Sequence, residues 1–301
     1  LGGLPTMFVA EDNVLFGDDA KTNTVTLTEM MPVSGVTVDN NTLNYTFSGD
    51  GGLTGEGGLT KTGVGRLTIN NTKSTYTGPT IIDRGIVIVK EVADGGKPSS
   101  LGAATADAAN WQIGRAMLTI TNSNAATDRA ITLTDSAVVQ VPSGGVTLKG
   151  KIVGSGSLTK MGNGQLTIGY GGANTWSGGT TLMAGTLAMG SWNSTFGPAT
   201  SPITANGGTI VVFDNNSTSA VPYVRGDFEM NTSNFEGTLN VSDGGRGNFR
   251  ITSATDLSKA TLILNAGVYA AHFTSQGGAE TNLTTKVGSL RSTAADATLS
   301  T

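Results

Sequence analysis

One histidine, His272, is the chain's whole supply of imidazole across 301 residues, and cysteine is absent. A Ser-His-Asp triad would have to use His272. It lies in Val268-Tyr269-Ala270-Ala271-His272-Phe273, an alternating stretch that reads as strand, and no G-x-S-x-G elbow accompanies it. Zero cysteine excludes thiol chemistry and thiolate metal sites, and one histidine cannot build a histidine-rich one. Carboxylates remain. Glycan hydrolysis or elimination needs two or more of them converging on one groove, with Lys or Arg nearby. The candidates are Asp18-Asp19, Asp214, Asp227, Glu229, Glu236 and Asp243, with Arg225, Arg246 and Arg250. Most stand in turn clusters, where Asp satisfies backbone donors. Gly244-Gly245-Arg246-Gly247-Asn248-Phe249 begins like a calcium nonapeptide, but Phe249 stands where the ligand Asp is needed. The residues therefore predict no catalytic group, no cofactor and no metal.

Charge narrows the partners. Eighteen basic against 22 acidic residues, without a basic block, argue against nucleic acid. No apolar run approaches the ~20 residues that span a bilayer. Leu1 follows no charged n-region, so the chain reads as a segment of a larger protein. Glycine, at 44 residues, is about twice its usual ~7% share, and the 13% charged residues are about half the usual ~25%. Short apolar runs recur throughout and the net charge is only -4, so this composition speaks for tight turns and stacked polar ladders, not disorder.

What those turns connect is a repeat. Gly55, Gly57, Leu59, Thr60, Lys61, Gly63, Gly65, Leu67, Thr68 and Ile69 recur at a constant offset as Gly154, Gly156, Leu158, Thr159, Lys160, Gly162, Gly164, Leu166, Thr167 and Ile168. After one extra loop residue, Thr75, Tyr76, Gly78, Thr80, Ile82 and Gly85 meet Thr175, Trp176, Gly178, Thr180, Leu182 and Gly185. A repeat of this kind is one supersecondary unit that needs neighbours to bury its core. Within it, runs such as Leu67-Thr68-Ile69 and Ile86-Val87-Ile88 alternate with the period of a strand buried on one face. Glycine pairs such as Gly63-Val64-Gly65 and Gly162-Asn163-Gly164 mark the corners. No window shows sustained helical spacing.

The pattern G-x-G-x-L-T-K-x-G-x-G-x-L-T-I, a short loop, then an aromatic followed by G-x-T-x-[IL]-x-x-G resembles the autotransporter-associated β-strand repeat. That repeat is also called the passenger-associated transport repeat, and it occurs in large secreted and surface proteins of Gram-negative bacteria. The resemblance implies an all-β, right-handed parallel β-helix, an extracellular or outer-membrane-surface location, and structural roles for the motif residues. Lys61 and Lys160 are then expected at a rung edge, and Tyr76 and Trp176 in packing rather than stacked on sugar.

The whole chain, 1–301, is read as one β-solenoid segment, with repeat units at about 49–89 and 148–189 and ~20–25 residues per rung. Short strands are expected at Met7–Val9, Val14–Phe16, Val25–Leu27, Val36–Val38 and Leu43–Tyr45, and again at Trp111–Ile113, Met117–Ile120, Ile131–Leu133, Val138–Val141 and Val146–Leu148. Glu91–Ala109 reads as a loop insertion. Weaker runs continue through Thr209–Val212, Phe235–Val241, Phe249–Ile251 and Leu262–Leu264 to Val287–Leu290 and Thr298–Ser300. Both ends look uncapped, so the expected partners are flanking parts of the same polypeptide or further copies stacked end to end. The function expected is a non-enzymatic scaffold, stalk or surface-assembly segment. Its rivals are a glycan-active enzyme or its carbohydrate-binding module, and a host- or carbohydrate-binding adhesin.

Overall fold

A computed structural model describes residues 10–169, 174–190 and Phe196 in full, and beyond them the path of eight further strands between 203 and 292. The expected strands at Met7–Val9 and Thr298–Ser300 lie outside the described residues, and of His272 only its place in the strand Val268–Phe273 is described.

The architecture is a parallel β-solenoid. The strands gather into sheets of 15, 8 and 3 members, and successive strands of each sheet pair in parallel. The pairing offsets give the coil length directly: Val36 faces Leu59, Leu59 faces Thr80, Ala137 faces Leu158, and Leu158 faces Thr180. One coil is longer, from Thr80 to Trp111, and its extra length is the Glu91–Ala109 insertion. That insertion is a loop ending in a single 3-10 turn, Ala108–Asn110; no α-helix occurs among the described residues.

Alternation settles which side chains face in. In Leu59–Lys61 and Ser157–Met161, buried and half-buried positions take turns, and the inward members fuse into one core running from coil to coil. Two strands are longer than their apolar runs suggest. Thr80–Val89 passes through Gly85, at φ 78°, and Trp111–Ile120 passes over Asp83 at Gly114. The expected break between Trp111–Ile113 and Met117–Ile120 is therefore a corner inside one strand. The strand expected at Leu43–Tyr45 begins instead at Tyr45 and runs to Ser48. Just before it, the Asp18 carboxylate accepts the amides of Asn41, Thr42 and Leu43, which holds 41–43 in a turn.

The strand Trp111–Ile120 is a splice. On one side, Ile82 and Val87 face its Ile113 and Leu118. On the other, Ile113 faces Leu133, and Leu118 faces Val139. Followed coil by coil, one column reads Phe16, Val38, Lys61, Ile82, Ile113, Leu133, Gly154. The next reads Tyr45, Leu67, Val87, Leu118, Val139, Lys160, Leu182. A third holds Ala125, Val146, Leu166 and Leu187. Lys61 and Lys160 are equivalent in the repeat yet stand in different columns. The second unit is thus rotated by one face relative to the first.

Candidate functional site

The repeated residues converge on three contacts, each built twice. The first is a corner of backbone against backbone. Gly78 N–H donates to Gly57 O at 3.0 Å, and Gly178 N–H to Gly156 O at 3.0 Å. A Cβ on Gly78 or Gly178 would fall 2.5 Å from the carbonyl carbon of Gly57 or Gly156. Only glycine admits that approach.

The second contact is the lysine. Lys61 and Lys160 are fully buried. They point inward because each lies two residues after a core leucine, Leu59 or Leu158, and strand parity puts both on one face. They do not line a rung edge. The Lys160 ammonium donates to the carbonyls of Met161 at 3.0 Å, Gly162 at 2.8 Å and Ala184 at 3.1 Å. The Lys61 ammonium donates to Gly63 O and, at 3.4 Å, to Thr62 O. Gly85 and Gly185 complete each cradle: a Cβ on Gly85 would lie 2.5 Å from both Gly63 O and Gly65 O and 2.9 Å from Lys61 Nζ. Burial pushes both amines down to about 8, and for Lys61 the nearby Asp39 and Asp18 act in the opposite sense.

The third contact joins aromatic, threonine and loop. Tyr76, buried, hydrogen-bonds through its hydroxyl to Thr80 Oγ1 at 2.8 Å, and Thr80 Oγ1 donates to Leu101 O at 3.2 Å. Trp176 Nε1 donates to Thr180 Oγ1 at 3.2 Å, and Thr180 Oγ1 donates to Phe196 O at 3.3 Å. Leu101 and Phe196 are both buried. The loop that carries Leu101 therefore acts as a strap drawn over Tyr76, where a Cβ on Gly102 would lie 2.6 Å from the ring, and Phe196 holds the matching place at the second aromatic. This element is missing from the repeat as read in the sequence. Its signal was Ser100-Leu101-Gly102-Ala103-Ala104-Thr105, echoed by Thr195-Phe196-Gly197-Pro198-Ala199-Thr200.

A further buried cation belongs to the first strap. Arg129 donates to Leu101 O at 2.9 Å and Asn110 O at 3.3 Å, with its guanidinium 5.5 Å from the Trp111 ring centroid. Asp18 is a turn cap. Among the described residues, no three His, Cys, Asp or Glu side chains gather as a metal group would. Asp214, Glu229, Glu236, Asp243 and Arg246 lie outside the described residues, and of Arg225, Asp227 and Arg250 only the strand position is described. Arg250 faces His272 in register on neighbouring strands.

Both buried lysines, both aromatics and the corner glycines Gly78 and Gly178 fall within two stretches that resemble a known unit. A family model described as the passenger-associated-transport-repeat matches residues 59–89 and 158–189. The chain carries two of these repeats. The adhesin BmaC autotransporter of Brucella suis biovar 1 (strain 1330) is 35% identical over 162 residues. That stretch is 53% of this chain and 5% of the Brucella protein, so the chain spans a small fraction of this relative. No solved structure matches the chain. Among the described residues, no helix is long and apolar enough to cross a membrane.

Proposed function

We propose that the chain is a non-enzymatic, mechanical stretch of a β-helical passenger displayed on, or secreted from, a Gram-negative cell. One observation carries this reading. The residues that recur between the two repeats are engaged in packing and in holding coil to coil: the glycines in backbone contact, both lysines on carbonyls with Lys160 reaching Ala184 O of the next coil, and the threonines beside the aromatics on Leu101 and Phe196. None of these is free to act on a substrate. The relative named an adhesin supports surface display. Tyr76 and Trp176 are buried, so the two aromatics that recur are not available to stack on sugar. The partner that fits is more of the same kind of coil. Among the described residues, Asp12–Phe16 pairs with one strand alone, Met30–Val38, and its other edge would receive a further coil of the same polypeptide or of another copy.

Electron microscopy of the purified segment, alongside incubation with a panel of acidic and neutral polysaccharides, tests the proposal. Rods that leave every glycan at its original length are expected. Depolymerisation abolished by a single Asp or Glu substitution would overturn it.

A further inference from the structure

We propose that Lys160 is a register pin: it fixes which face of its coil stacks on which face of the next, a choice the apolar residues leave open. The splice at Trp111–Ile120 shows the choice is open. There, the Leu67–Val87–Leu118 column continues into Val139 and Lys160, whereas the repeat equivalent of Leu67 is Leu166, one face further round. Ile113 over Leu133 and Leu118 over Val139 are sound apolar pairs, so a one-face rotation costs the core nothing it can detect. Within a unit, something other than hydrophobicity must forbid the same rotation.

The lysine has the required properties. It is the one charged member of a column whose neighbouring members are Leu118, Val139 and Leu182. Its ammonium needs several acceptors once buried. For Lys160 those acceptors come from two coils, Met161 and Gly162 beside it and Ala184 in the next. The Ala184 carbonyl sits there only when Leu182 lies over Lys160. Rotated by one face, the next coil would offer Lys160 the stretch around Trp176 in place of the glycine corner at Gly185. A buried polar group that specifies register at the expense of stability is a known device in coiled coils.

Because the chain lacks cysteine, pairs of introduced ones can report the register. Thr159 faces Thr181 on the outer side of neighbouring strands. Thr159→Cys with Thr181→Cys, labelled with pyrene and refolded from urea, gives excimer emission in the native register. Thr159→Cys with Thr175→Cys gives it after a one-face slip. With Lys160 in place, only the first pair should emit. In Lys160→Met, the second pair should gain excimer emission at the expense of the first. Leu182→Ala, which weakens the same column without touching the acceptors, should keep the native pattern. If Lys160→Met does not fold, Lys160→Gln is read in its place by the same two pairs. Native-only emission in the lysine variant, or an equal slip in Leu182→Ala, would overturn the proposal.

Discussion

The two repeats use the same glycines against different neighbours. In the first, Gly63 and Gly65 close over Asn40, a buried amide whose Nδ2 donates to the carbonyls of Leu43 and Arg66. In the second, Gly162 and Gly164 close over Val141, which has no such donor. The straps differ likewise: a tyrosine hydroxyl and Arg129 serve the first, a tryptophan N–H the second. What stays constant is the close approach of main chain to main chain. Backbone geometry defines the unit, and side chains of quite different polarity can furnish it.

The comparison breaks most sharply at its constant part. Gly78→Val and Gly178→Val each drive a side chain into a carbonyl 2.5 Å away. Each should cost about 3 kcal/mol or more, or prevent folding. Urea denaturation of the two variants should give similar losses; a tolerated valine in either unit would show that the corners are not equivalent. Next come the straps. Trp176→Ala empties a fully buried site and should cost roughly 3–5 kcal/mol by the same measurement.

The lysines give an intermediate effect with a definite sign. Burial lowers both amines from 10.5 to about 8, so between those values the unfolded chain binds more protons than the folded one. Stability should therefore rise with pH across that window, by at most on the order of 3 kcal/mol for each lysine. Tyr76 acts the other way. Its phenol is pushed up to about 12 by burial, so its contribution is full below pH 10 and declines above. Urea midpoints taken from pH 7 to 11 should climb and then turn over. Lys61→Met and Lys160→Met should each flatten the climb; an unchanged slope in both would mean the amines titrate normally. The smallest effect is Tyr76→Phe, which removes one hydroxyl while Thr80 keeps Leu101 O. It should cost about 1 kcal/mol, with the second strap unaffected.

Much of this was legible in the chain. Paired glycines and the Leu-Thr-Lys runs located both units, because a backbone that turns this tightly leaves its mark in composition. The lysine's direction was legible too, since Leu59 and Lys61 are two residues apart. The resemblance argued for an edge, and strand parity was the better guide. The straps were harder, because Leu101 and Phe196 stand at different distances from their aromatics and share only a short motif. The one-face rotation leaves no trace in the sequence. Ile113, Leu118, Leu133 and Val139 suit either column equally, and only strand pairing tells them apart.

The straps also decide how the rod would yield to force. In a parallel solenoid the inter-strand hydrogen bonds point roughly along the axis, and each coil touches only its neighbours. Tension between the ends would open plain coils in turn, like a zip. A coil that carries a strap is fastened to a residue beyond it, through Thr80 to Leu101 and through Thr180 to Phe196. It cannot peel until that bond is broken. Stretched from its ends, the molecule should part coil by coil at low force and halt twice, once at each repeat.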